Sequence, residues 1–212
     1  FVIRRFPHSF ASVALLIAGL SLAGCDREKQ ASGQAYDAST KTSSSQGGDR
    51  AGEKSAEAYV IERSFKGQAA PDAEFFDSAG KAVTLADFAG KPLLVNLWAT
   101  WCAPCVAEMP ELEVLAAASK DVRHVIAVSQ DIKGEAVVRP WVEKAGLKAL
   151  PIYTDAENDL LLEYNSALPT TIYYDADGKE VWRVMGALDW TGDVAAKLLA
   201  EGDALSVCAS PR

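Results

Sequence analysis

Cys102 and Cys105, in the run Cys102-Ala103-Pro104-Cys105, are two residues whose types and spacing imply a definite chemistry. An apolar run ends just before them and a helical pattern follows, so Cys102 is expected where a buried strand gives way to a helix. At such a junction, backbone N–H groups lack intrahelical acceptors and the helix dipole presents its positive end, which favours a negative charge. A free thiol titrates near ~8.5, whereas thiols in CxxC pairs at helix starts fall to ~3.5–7.5. The spacing sets both sulfurs at one end of the helix, within bonding reach. Cys102 is expected to be the exposed attacker on a partner's disulfide. Cys105 is then the shielded thiol that breaks the resulting mixed disulfide.

The remaining candidate ligands limit the alternatives. Cys25 ends an apolar stretch and Cys208 lies near the chain end, so no second CxxC completes a four-thiolate zinc site. His8 falls inside an expected leader, which leaves His124 for the rest of the chain, and no metal site is expected. The formal charge is −8, and leaving out the basic leader makes the remainder more acidic. Nucleic-acid partners need clustered Lys and Arg, so none is expected. Hydrophobic residues make up 49% of the chain, enough for a core that does not rest on disulfides.

Several elements must position the cysteine pair. Pro71 to Phe88 alternates around Ser78-Ala79-Gly80-Lys81 as a hairpin does, and Leu93 to Trp98 reads as a buried central strand. Val106 to Ala118 follows as a helix with Met109, Leu112 and Leu115 on one face. Val122 to Val128 reads as a strand, and Glu135 to Ala145 and Glu157 to Tyr164 as helices. Strands at Thr170 to Tyr174 and Glu180 to Met185 flank the turn Asp175-Ala176-Asp177-Gly178, and Thr191 to Glu201 closes the pattern as a helix. The order implies an α/β fold, a mixed sheet flanked by helices with an N-terminal β-hairpin extension.

Ahead of this domain, expected over 61–203, the texture differs. Arg4 and Arg5 precede an uncharged apolar run, Phe10 to Gly24, which is shorter than the ~20 residues of a spanning helix. Residues 1–24 therefore read as an export signal. Residues 25–60 are rich in Ser, Gly, Gln, Lys and Asp and read as a disordered tether, with a reach of roughly 30–35 Å. Residues 204–212 read as a tail. Cys208 has no expected intramolecular partner and is read as a free thiol or an interchain link.

Two resemblances extend this reading. Leu22-Ala23-Gly24-Cys25 resembles the bacterial lipobox, which implies cleavage before Cys25 and a lipid on its sulfur. More than one long acyl chain makes such anchoring stable. Asp26 resembles an inner-membrane retention signal, so the expected location is the periplasmic face of that membrane. Val95-Asn96-Leu97-Trp98-Ala99-Thr100-Trp101-Cys102-Ala103-Pro104-Cys105, followed by Glu108-Met109-Pro110-Glu111-Leu112, resembles the TlpA/ResA-like branch of the thioredoxin family. That resemblance covers about Gly67 to Glu201 and implies a thioredoxin fold. Pro110 matches the proline that kinks the first helix in that family. Leu168-Pro169-Thr170 resembles the loop whose cis-proline lies opposite the CxxC, so Leu168 and Pro169, with Trp101 and Pro104, are expected to bind the client segment. Glu108 resembles an acid set beneath the active site, taking a proton from Cys105 or guiding partner choice; the bland alternative is a solvated helix glutamate. Asn96 stands where thioredoxin itself carries a buried acid.

The implied activity is thiol:disulfide exchange, with the Cys102–Cys105 dithiol as the redox group and no other cofactor. Ala103-Pro104 lacks the histidine that strong oxidants of this fold carry inside the CxxC, which favours a reductant. The implied clients are disulfides of apocytochrome c or of copper-site proteins, and the implied electron donor is an inner-membrane thiol protein. Two rivals are a copper chaperone or binding module, which would need His124 with Cys102, and a peroxidase. The peroxidase reading calls for a threonine three residues before the reactive cysteine, where this chain has Ala99.

Overall fold

A computed structural model of the protein describes residues 59–209. The expected leader, Cys25 and the tether up to residue 58 lie outside the described residues, as does the side chain of Cys208. Among the described residues no helix is long and apolar enough to cross a membrane.

The centre is β4 (Leu93–Trp98), and all six of its positions are buried. Its side chains alternate between two cores. Leu93, Val95 and Leu97 join Phe75, Ile126, Leu160 and Ile172, while Leu94 and Trp98 join Met109, Leu112, Tyr173 and Trp182. A strand buried on both faces carries apolar residues at successive positions, which is why this segment reads as a continuous run. Each fully buried large side chain contributes ~1.5–3 kcal/mol. The same alternation puts Asn96 on the face covered by α1 (Ala103–Ser119).

Among the described residues, eight strands form one mixed sheet. β5 (His124–Ser129) runs parallel to β4, and β6 (Ile152–Thr154) parallel to β5. On the other side β7 (Thr170–Tyr174) is antiparallel to β4 and β8 (Glu180–Met185) antiparallel to β7. β1 (Val60–Glu62) pairs with β8 at one edge, and β2 (Phe75–Phe76) with β3 (Ala82–Val83) close the other, giving the order β1-β8-β7-β4-β5-β6-β2-β3. α1, α2 (Glu135–Ala145) and α4 (Asp193–Ala209) contribute to the core around Met109 and Trp182. α3 (Asp159–Tyr164) and a 3-10 turn, Leu85–Phe88, cover the opposite face.

Besides shifts of one to three residues at the ends of α1 and β5 and the starts of α3 and α4, the structure differs from the sequence reading at three points. β1 begins at Val60, the last residue of the expected tether; three residues are too few to show a period. β6 is equally short and leaves no mark in the sequence. α4 runs to Ala209, past the expected end at Glu201 and into the expected tail. Gly202 invites that early stop, because glycine commonly ends helices. Here it serves packing instead: a Cβ at Gly202 would stand 2.3 Å from Cε1 of Tyr173, so the bare backbone lets the ring lie against the helix. The Tyr173 hydroxyl then donates to Asp203.

Candidate active site

The segment between β4 and α1 is held by a residue that the sequence did not single out. Asp131, just beyond β5 and 5% exposed, accepts the Thr100 backbone N–H at 2.8 Å and the Thr100 hydroxyl at 2.7 Å. The Ser129 hydroxyl donates to the same carboxylate at 2.8 Å, and Gln130 N–H donates to the Trp98 carbonyl at 2.8 Å. A buried carboxylate with several donors is a strong local fastener. It sets the exit of β4 against the exit of β5, and Trp101 and Cys102 follow from that fixed point. An aspartate at a strand end carries no sequence signal for its partner 31 residues away, which is why it was missed.

Cys102 is the N-cap of α1, and its carbonyl accepts the first intrahelical bond, from Val106 N–H at 3.0 Å. Pro104 stands in the first turn, where a missing N–H costs the helix nothing. The Ala103 and Cys105 N–H groups precede that first bond and open toward the Cys102 end. Cys102 and Cys105 are joined as a disulfide with Cα atoms 5.3 Å apart. Cys105 is fully buried, as expected. Cys102 corrects the expectation of an exposed attacker: it is only 6% exposed. Bonded to Cys105, it belongs to the apolar cluster of Trp98, Met109, Leu188 and Trp190. The exposed neighbours are Trp101, 70% accessible, and Ala103 and Pro104.

The Leu168–Pro169 bond is cis. Register pairs Thr170 with Leu97, so Pro169 stands level with Trp98, at the end of the sheet from which the chain leaves for Cys102. Pro169 is buried and Leu168 half-buried, touching both cores. Trp101, Pro104, Leu168 and Pro169 are therefore brought to one end of the sheet with the disulfide.

Glu108 is 3% exposed, which removes the reading of a solvated helix glutamate. Its Oε1 accepts the Leu188 backbone N–H at 2.8 Å and the Trp190 indole N–H at 3.0 Å. Its Oε2 has no partner, and neither has Oδ1 of Asn96, whose amide donates to the Thr171 hydroxyl at 2.9 Å. Burial, helped by the like charge of Glu111, pushes the Glu108 carboxyl up to about 7, against the opposing pull of Leu188 N–H, the Trp190 indole and, least, the Asn96 amide. A carboxyl in that range exchanges protons readily near neutrality. The sequence does not mark Leu188 and Trp190 either, since they lie 80 and 82 residues away in a loop with no motif.

His124 is at the far end of β5. It pairs with Leu93, five register steps from the Trp98 end, roughly 17 Å at strand rise. Its ring packs edge-on against Phe88, and burial lowers its pKa. The Cys102 and His124 pair that a copper carrier would need is thus split between opposite ends of the sheet.

Comparison with known proteins places this geometry among relatives. The sequence profile of the Redoxin family matches residues 65–199. The thiol-disulfide oxidoreductase ResA of Bacillus thuringiensis (strain Al Hakam) is 34% identical over 122 residues, 57% of this chain and 69% of that protein. Among solved structures, the pneumococcal exposed lipoprotein thioredoxin Etrx1 from Streptococcus pneumoniae strain TIGR4 is 30% identical with a TM-score of 0.54. That match covers 62% of this chain and 99% of the other. A putative thiol:disulfide interchange protein DsbE from Chlorobium tepidum is 26% identical with a TM-score of 0.57, covering 64% of this chain and 96% of its own.

Proposed function

The chain belongs to the Redoxin family and is a thiol-disulfide oxidoreductase of the ResA type, and from that premise we propose that it reduces client disulfides through Cys102 and Cys105. The observation that carries this reading is the bonded Cys102–Cys105 pair at the start of α1, with a buried carboxyl one turn further on.

In the reduced protein, Cys102 is the attacking thiolate, stabilised by the open N–H groups of the first turn. It attacks one sulfur of the client disulfide, a mixed disulfide forms, and the first client thiolate leaves. Cys105 gives its proton to the Glu108 carboxylate and attacks Cys102 Sγ. The second client thiolate leaves, and the protein is left as the Cys102–Cys105 disulfide. Two electrons pass to the client. Glu108 returns its proton to solvent or to a departing thiolate. No other cofactor takes part. Trp101, Pro104, Leu168 and Pro169 form the surface against which the client segment lies.

The wider setting belongs to the same proposal. A lipid on Cys25 and the segment after it tether the domain at the periplasmic face of the inner membrane; a lipoprotein among the structural relatives supports this. An inner-membrane thiol protein restores the dithiol, and the clients are apocytochrome c or copper-site proteins. Trapping tests the core of the reading. Cys105→Ser is expected to accumulate a mixed disulfide through Cys102 with its client, released by dithiothreitol, and Cys102→Ser is not. Equal capture by both variants, or by neither, overturns the assignment.

A further inference from the structure

Two neighbours act on Glu108 with opposite sign: the loop after β8 holds it by hydrogen bonds, and Glu111 repels its charge. The loop after β8 approaches with Leu188 N–H and the Trp190 indole N–H, both on Oε1. Glu111, one turn along α1, accepts the Trp190 backbone N–H at 2.7 Å through its Oε2 and so fastens the residue that supplies the indole. Two donors on one oxygen of a carboxyl leave the other oxygen as the place for a proton, and in this site Oε2 is buried and unpartnered.

We propose that Trp190 is a positioning residue for the exchange reaction: its indole and Leu188 N–H occupy Oε1 of Glu108, so the proton from Cys105 is taken up and released at Oε2, and Glu111 holds Trp190 in that pose. This rests on the reading of Glu108 as the proton acceptor for Cys105. The step moves one proton and no electrons: the Cys105 S–H bond breaks, an O–H bond forms on Oε2, and the thiolate goes on to attack Cys102.

The groups around the carboxyl define the expected behaviour. Cys105 lies one turn back on α1. Glu111 adds a like charge from the same helix and raises the proton affinity of Glu108. From β4 comes the neutral Asn96 amide, whose hydrogen bond goes to the Thr171 hydroxyl of β7 and not to Oε2, but which lies near enough to lower it weakly. From the loop come the two N–H donors, which also lower it. Asp189, between them, is exposed and accepts from the Thr191 N–H and hydroxyl. The ionised form therefore depends on Trp190 for a donor and is opposed by Glu111 for its charge.

Two substitutions are expected to move the titration in opposite directions. Trp190→Phe keeps the ring packing and removes the indole N–H, so Glu108 takes its proton at higher pH, by about half a pH unit or more. Glu111→Gln keeps an acceptor for the Trp190 N–H and removes the like charge, so Glu108 titrates lower by a similar amount. The readout is the carboxyl ¹³C shift of Glu108 in oxidised, glutamate-labelled protein across pH 4 to 9, assigned with Glu108→Gln. It needs no client, so it stands or falls apart from the reductase reading. The pH dependence of mixed-disulfide resolution by the reduced protein is expected to move the same way in each variant. Shifts of opposite sign support the proposal. An unmoved titration in folded Trp190→Phe, or shifts of the same sign in both variants, overturns it. If Trp190→Phe fails to fold, Glu111→Gln decides alone, and an unmoved or raised titration there overturns the proposal.

Discussion

Glu108→Gln should make the oxidised protein more stable at alkaline pH while slowing its chemistry. Glu108 is 3% exposed and its carboxyl titrates at about 7, against an ordinary 4.5. The folded state therefore binds this proton more tightly than the unfolded chain does. For a group raised in this way the contribution to stability is intact below pH 4.5 and is lost as pH rises through 7. The difference corresponds to about 3 kcal/mol once both states are ionised. Glutamine keeps an oxygen for Leu188 N–H and the Trp190 indole, and sets an amide where Oε2 has no partner. The assay is urea unfolding of oxidised wild type and variant at pH 5 and pH 8.5. The stability difference, variant minus wild type, should grow by about 2–3 kcal/mol between the two pH values. With reduced protein, the variant should resolve mixed disulfides at least tenfold more slowly at pH 7. A stability difference that stays constant with pH would show that Glu108 does not titrate as its burial demands, and the reasoning fails.

Two further outcomes test the scaffold. Asp131→Ala removes the acceptor for Thr100 N–H, the Thr100 hydroxyl and the Ser129 hydroxyl, and should cost about 2–4 kcal/mol in urea unfolding. The same variant should change the emission of exposed Trp101, whose loop it frees; a loss under 1 kcal/mol would refute its fastening role. Gly202→Ala places a methyl 2.3 Å from the Tyr173 ring and should cost about 1–3 kcal/mol, seen as a lower midpoint in thermal unfolding. An unchanged midpoint would mean that the ring moves aside for no more than the ~1 kcal/mol by which alanine favours a helix over glycine.

How much of this was legible depended on the range of the signal. β4, α2, β7 and β8 follow the runs Leu93 to Trp98, Glu135 to Ala145, Thr170 to Tyr174 and Glu180 to Met185 because burial of neighbouring positions writes itself into adjacent residues. The cysteine pair was legible for the same local reason, a fixed spacing at a strand-to-helix junction. β1 and β6 were not, because three-residue strands owe their existence to partners elsewhere in the sheet. Asp131, Leu188 and Trp190 were invisible for a related cause: each acts on the site through a hydrogen bond spanning 31 to 82 residues. Glu108 was named from its resemblance and its turn of helix, but its burial came from that distant loop. Gly202 shows how one residue type carries two meanings, a helix stop in the sequence and a bare surface for Tyr173 in the fold.

The direction of electron flow is the centre of the account, and the reduction potential of the Cys102–Cys105 couple tests it most directly. Equilibration of the folded domain with dithiothreitol or glutathione buffers at pH 7, followed by thiol counting, gives the value. A reductant predicts a potential nearer the ~−270 mV of thioredoxin than the ~−120 mV of a strong oxidant. A potential above about −150 mV would contradict the reductase assignment.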